Sequence, residues 1–314
     1  MAKEGDLKLA MLGMVKGNGH PYSWSAIFNG YNPEEMARQP FPRITEYLSR
    51  EPMETIPIPG ANVTHLWTDD PADAELISKA SLVPNIVGRP EDVIGEVDAV
   101  LIPTDKGWEH VERCRPFVEA GLPIFVDKPL VDNAEDLKQF IEWVESGKQI
   151  MSSSCMRYAK EYGPYRASTN NLGELRYVSI TTSQVWERYG IHALEGIYPI
   201  VGPGFISAQN SGSINRNILH LKHERGIDIN VIAITDMRGS DALLQLCGTK
   251  EWAHVAWRDS FYSFRAQLLA FVEFVRTGVR PFPFEDTVEL MKLVIAGIRS
   301  REEGGREVLL NEIL

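Results

Sequence analysis

A chain of 314 residues, 44% hydrophobic and 24% charged, has the make-up of a globular protein with room for two domains. Its net charge of −11 argues against nucleic acid or an anionic membrane as the main partner, because both reward clustered Lys and Arg. Three scattered cysteines (Cys114, Cys155, Cys247), no leader-like N-terminus and no apolar run of bilayer length together predict a reducing, cytoplasmic setting without disulfides.

The first half alternates strand and helix patterns. Leu7 to Met14 predicts a strand running into Gly13-Met14-Val15-Lys16-Gly17-Asn18-Gly19, with a helix at about Ser23 to Asn29. Asn32 to Gly60, rich in proline and charge, reads as an insertion that lies over the sheet or joins a subunit contact. Val63 to Thr68 is a second strand closed by Asp69-Asp70-Pro71, and Ala72 to Ala80 a helix. Val97 to Ile102 is a near-continuous apolar strand, and Trp108 to Ala120 the helix after it, stopped by Gly121. Pro123-Ile124-Phe125-Val126 then passes straight into Asp127-Lys128-Pro129. Such alternation implies crossover units in a parallel sheet, where ligands sit beyond the carboxyl ends of the strands. Lys128 falls at that edge, on backbone that the following proline pushes towards extended geometry.

Beyond Asn133 the pattern changes. Ala134 to Ser146 is an amphipathic helix, and strand patterns follow at Ile150–Arg157, Leu175–Val185, Ile218–His223, Ile227–Ile234 and Ala242–Cys247. Consecutive strands without intervening helices suggest an antiparallel sheet. Apolar stripes through Phe261, Phe264, Leu268, Phe271, Val272 and Val275, and through Val288, Met291, Val294, Ile295 and Ile298, close the chain with helices. The expected class is α/β: a Rossmann-type doubly wound parallel sheet over residues 1–129, then an α+β domain over 130–314 with a largely antiparallel open sheet. The last helices are candidates to pack back on the first domain.

Four segments in order carry a resemblance: Val97 to Thr104 with His110 after it, Ala120 to Leu130, Gly190-Ile191-His192, and the C-terminal stretches Phe271–Gly278, Pro281–Asp286 and Ser300–Val308. They resemble the glucose–fructose oxidoreductase and inositol dehydrogenase family (Gfo/Idh/MocA), with Asp127 standing where that family has Glu in its Glu-Lys-Pro segment. The resemblance implies an NAD(P)-dependent oxidoreductase that moves a hydride between nicotinamide and a carbinol of a sugar, cyclitol or related polyol. Lys128 and His192 would flank the reacting oxygen, and Thr104 and Asp127 would join Lys128 beside the cofactor. It also implies a homodimer or homotetramer formed through the open face of the second sheet. A lysine partly desolvated beside a cationic nicotinamide has its pKa lowered, so it can pass the hydroxyl proton.

Two departures qualify this reading. Gly13, Gly17 and Gly19 have GxxxGxG spacing instead of GxGxxG; they hold a pyrophosphate or form a plain glycine turn. Asp69, at the end of the second strand, is the candidate for the ribose hydroxyls, and an acid there favours NAD over NADP. The second departure is Arg188, four residues before His192, where many relatives place an aspartate. Glu187 and Glu195 are candidates for the missing carboxylate, or Arg188 itself recognises an anionic substrate group. Trp186, Tyr189 and Trp24 suit stacking on a sugar face, and Arg157 falls where the family lines its cleft. His220 and His223 lie on a strand at an offset that points them apart, so no metal is expected. Two alternatives share the fold: a lyase or glycosidase-type enzyme using tightly held NAD as a transient oxidant, and a non-catalytic sensor.

Overall fold

The computed structural model describes residues 5–237 and 242–314. The first half forms strand β1 (Leu7–Leu12), helices α1 (His20–Asn29), α2 (Pro33–Met36) and α3 (Pro42–Leu48), strand β2 (Ala61–Trp67), helix α4 (Pro71–Ser81) and strands β3 (Asn85–Ile86) and β4 (Ala99–Ile102). Helix α5 (His110–Glu119), strand β5 (Ile124–Val126), helix α6 (Ala134–Glu145) and strand β6 (Ile150–Ser152) follow. The six strands pair in parallel in the order β3-β2-β1-β4-β5-β6. Strands β4, β5 and β6 are buried at every position, as expected for strands covered on both faces by crossover helices. Strand order reverses between β1 and β4, and the crevice at that switch point is where such sheets take ligands.

The sheet runs past residue 129. The segment expected as the first strand of the second domain, Ile150–Arg157, is instead the parallel edge strand β6 followed by a short 3-10 turn over Cys155–Tyr158. Then come helix α7 (Gly163–Ala167), strand β7 (Leu175–Ser183), helix α8 (Trp186–Val201), strands β8 (Phe205–Asn210), β9 (Arg216–His223), β10 (Asp228–Ile234), β11 (Leu243–Gly248) and β12 (Trp252–Ala256), helices α9 (Ser260–Thr277) and α10 (Phe284–Glu302) and strand β13 (Val308–Leu309). The seven strands order as β12-β11-β7-β10-β9-β8-β13. They are not wholly antiparallel, because β7 and β10 run parallel. Helix α8 is the crossover that makes this possible, packing on β7 and β10.

Helices α9 and α10 return to the first sheet, as the apolar stripes allowed. Helix α10 packs on α6 as well as on α8, and α9 touches α1 and α3. In the proline-rich segment 32–60, α2 packs on α4 and α3 is held against α9, with Ile44 and Leu48 buried and Phe41 and Ile44 set against Gly19 of the loop after β1.

Gly13 ends β1 at φ +108, a conformation that side chains rarely adopt. A Cβ there would meet Thr104 Cγ2 at 3.0 Å and Arg113 Nη1 at 3.2 Å. Gly13→Ala should therefore lower stability by about 1–3 kcal/mol from backbone strain alone, read as a lower urea midpoint with unchanged slope.

Candidate active site

The ends of β1, β4 and β5 converge on one carboxylate. Asp127, fully buried, follows β5; its Oδ2 accepts from Asn18 Nδ2 at 3.1 Å and lies 2.5 Å from His20 Nδ1, while Oδ1 accepts from the Lys128 amide at 2.7 Å. Asn18 also donates to the Pro103 carbonyl (2.9 Å), and its Oδ1 accepts from the His20 amide (2.9 Å), tying the glycine loop to both strand ends. Burial alone would raise the Asp127 pKa, but the charges of His20 and Lys128 pull it down to about 2. The imidazole of His20 stacks on Trp24 with centroids 4.7 Å apart and meets Phe264 edge-on at 5.2 Å.

Lys128 is almost fully buried beside that pair. Its ammonium lies 3.6 Å from Asp105 Oδ2, donates to the Arg188 carbonyl at 3.4 Å, and sits 4.6 Å over the ring of Tyr189. Burial disfavours the charged form, yet Asp105 and Asp127 outweigh it and hold the pKa above the ordinary lysine value. The expected lowering towards neutrality is thus reversed in the protein alone. Two carboxylates beside one ammonium keep the proton on.

His192, on α8, faces the same space. Its Nδ1 is 2.6 Å from Ser154 Oγ, and its ring lies 5.2 Å from that of Tyr189. Burial first, then the positive charges of Lys128 and His20, push its pKa well below the ordinary histidine value. Both effects favour the neutral imidazole.

A cavity of about 280 Å³ is lined by His20, Tyr189 and His192, while Asp127 and Lys128 lie outside its lining, buried against His20 and Tyr189 respectively. The glycine loop with His20, the α3 residues Ile44 and Tyr47, Tyr189 and His192 of α8, and Phe264 of α9 contribute to its walls. Several residues expected to bind substrate lie elsewhere. Trp186 is buried, donates its Nε1–H to the Val294 carbonyl at 2.9 Å, and packs against Gly297. Glu187 pairs with Arg301. Both fall on the side of α8 turned to α10 and away from the cavity.

Arg188 is also spoken for. Its guanidinium forks onto Asp105, with Nη2 at 2.7 Å from both carboxylate oxygens and Nε at 3.2 Å, so the anion-recognition role expected of it meets an internal counter-ion instead. Glu195 and Arg157 form a buried ion pair behind the cavity, joined by Asp286 at 3.4 Å. Burial raises the Glu195 pKa and the Arg157 charge opposes it. The pair reaches the site through one link: Glu195 Oε1 accepts from the amide of Ser154, whose hydroxyl meets His192. Cys155 is buried, and burial pushes its thiol up to about 12, in keeping with an inert small residue.

The loop beyond β1 has the bare backbone that a pyrophosphate takes. Gly17 has φ +88 and nothing within 4 Å of where a Cβ would stand. Val15, where a GxGxxG loop has its second glycine, is buried, and Phe41 and Ile44 cover one side of Gly19. Asp69 stands at the end of β2 as expected. Its Oδ2 accepts from the Met14 amide at 3.0 Å and its Oδ1 from Arg113 Nη2 at 2.8 Å, so ribose hydroxyls there would share it with Arg113. Thr104 is buried beneath Gly13, its hydroxyl 3.2 Å from His110 Nε2. Gly13, Gly17 and Gly19 follow one another along this loop, with Asp69 beside Gly13 and Asp127 tied to Asn18 between the last two glycines.

Sequence reasoning passed over His20, Asp105 and Ser154. His20 directly follows the third loop glycine and opens α1, and Asp105 lies three residues beyond the end of β4, next to Thr104. Ser154 carried no such signal.

Residues 46–154 match the model of the GFO_IDH_MocA family, described as an oxidoreductase family with an NAD-binding Rossmann fold. One curated relative, the proposed oxidoreductase subunit of a UDP-kanosamine synthase from Amycolatopsis mediterranei (strain S699), is 25% identical over 111 residues. That match takes in 35% of this chain and only 31% of the relative. Among solved structures, scyllo-inositol dehydrogenase from Lactobacillus casei superposes with a TM-score of 0.77 at 13% identity, over 98% of this chain and 99% of that one. Myo-inositol 2-dehydrogenase from Lactobacillus plantarum gives 0.75 at 16%, over 97% and 99%. An oxidoreductase from Agrobacterium radiobacter, solved with NAD+, L-tartaric acid and magnesium, gives 0.75 at 15%, over 98% and 100%. At these identities the structures share the whole fold with this chain.

Proposed function

From a chain whose residues 46–154 belong to the Gfo/Idh/MocA oxidoreductase family, we propose reversible hydride transfer between NAD(H) and a secondary carbinol of a polyhydroxylated small molecule, such as a cyclitol or sugar. The observation that carries this reading is that Tyr189 and His192 line one cavity at the switch point of a parallel sheet, with the buried ammonium of Lys128 packed directly behind Tyr189. Bound NAD would supply the hydride acceptor; Gly13, Gly17, Gly19, Asp69, Thr104 and Asp127 would hold it. The ammonium of Lys128 stabilises negative charge building on the substrate oxygen, and neutral His192, steadied by Ser154, hydrogen-bonds a substrate hydroxyl. Asp69 selects NAD by repelling the extra phosphate of NADP.

The same reading makes the protein a cytoplasmic homodimer or homotetramer. Ile206, Ile218, Leu243 and Trp252 stand exposed on the second sheet, which supports association through its open face. No helix among the described residues is long and apolar enough to cross a membrane.

Calorimetric titration with NAD and NADP, followed by NADH absorbance with a panel of inositols and sugars, tests the proposal. NAD should bind more tightly than NADP, and NADH should accumulate with at least one alcohol. Consumption of a glycoside without NADH would favour transient oxidation, and no heat with either dinucleotide would favour the sensor.

A further inference from the structure

If Lys128 is held as an ammonium, another group must take the hydroxyl proton when the alcohol is oxidised. Two imidazoles face the cavity, and their surroundings differ. His192 has a neutral hydroxyl at Nδ1, is buried, and feels the Lys128 charge, so its cation is disfavoured. His20 has a buried carboxylate at Nδ1, 2.5 Å away, fixed by Asn18 and the Lys128 amide. A carboxylate opposite Nδ1 calls for N–H there, which leaves the lone pair on Nε2. It also stabilises the imidazolium formed when Nε2 accepts a proton, the role an aspartate plays behind a catalytic histidine. Among the described residues Nε2 has no hydrogen-bond partner, and the side chain, 16% exposed, lies on the cavity wall. Stacking on Trp24 and an edge-on contact with Phe264 fix the ring plane.

We propose that His20, oriented by Asp127, is the general base that accepts the carbinol proton, with Asp127 as its positioning residue. The inference rests on the dehydrogenase reading. In the oxidising direction the carbinol C–H bond breaks with its electron pair leaving as hydride to NAD. The O–H bond breaks with its proton going to Nε2 of His20, and a C=O double bond forms. In reduction the imidazolium of His20 returns the proton. The other titratable groups on the cavity wall are Arg43 and Tyr47 of α3, Cys155, and Tyr189 and His192 of α8, with Lys128 behind Tyr189.

Two measurements test it. Ring ¹⁵N NMR of the cofactor-free chain should show neutral His20 protonated on Nδ1, with that preference lost in Asp127→Asn; a proton on Nε2 overturns the assignment. With an alcohol that the wild type oxidises, His20→Gln should lower kcat about 100- to 10,000-fold and abolish the fall in rate towards acid pH. Added imidazole should partly restore His20→Ala, while His192→Gln should raise KM and keep the acid limb. A His20→Gln enzyme that keeps that limb and more than a tenth of wild-type kcat overturns the proposal alone. Wild type that reduces NAD with no alcohol in the panel removes the dehydrogenase reading itself, and this base with it.

Discussion

Lys128→Met should lower alcohol-dependent NADH formation about a thousandfold while leaving the protein folded. The loss follows from geometry: the ammonium is the buried cation at the end of β5, packed behind Tyr189 of the cavity wall, and methionine fills its volume without its charge. Folding survives because both neighbouring carboxylates keep other partners. Asp127 retains Asn18, His20 and a backbone amide, and Asp105 retains the bidentate Arg188. Lys128→Arg should not restore the rate, since a planar fork cannot occupy the compact space between the Asp105 carboxylate, the Arg188 carbonyl and the Tyr189 ring. Circular dichroism and NADH absorbance separate the outcomes. Near-wild-type turnover in Lys128→Met would remove this residue from the chemistry.

Arg157→Met should cost about 3–5 kcal/mol of stability, the loss expected when one partner of a buried ion pair is removed. Glu195 is 1% exposed, and without the guanidinium its remaining hydrogen-bond partner among the described residues is the amide of Ser154. Arg157 also lies 3.9 Å over Phe282, so some packing is lost with the charge. The double variant Arg157→Met/Glu195→Leu should recover most of the deficit, because apolar residues often replace a buried pair at little cost. Urea unfolding of the three proteins decides it; a single variant within about 1 kcal/mol of wild type would show that the pair is better solvated than its burial implies.

The parallel half was open to sequence reading for a physical reason. Strands covered on both faces appear as unbroken apolar runs such as Ala99–Ile102 and Ile124–Val126, and Gly121 and Pro129 punctuate them. The Asp127-Lys128-Pro129 edge was therefore visible. Helix α8 was harder to see, since Gly190, Gly196 and Pro199 lie inside it and dilute its helical preference. The parallel pairing of β7 with β10 depends on contacts some fifty residues apart, which no local pattern encodes. Side-chain direction accounts for the site residues that moved. Trp186, Glu187 and Arg188 are neighbours in sequence, yet helical rotation sends the first two towards α10 and the third to Asp105. His20 escaped notice because its loop departs from the usual glycine spacing, and the departure looked like a weakness instead of a place for a different side chain.

Helix α3 belongs to neither sheet, yet Ile44 and Tyr47 stand across the cavity from His192. The proton-handling groups, by contrast, hang on strand ends, on the first turn of α1 and on α8, elements that the core cannot release without unfolding. Fit and reactivity are thus written in different parts of the chain. Evolution can retailor the shape of the accepted alcohol by editing one short, proline-bounded stretch, and the machinery beneath it inherits the new guest unchanged.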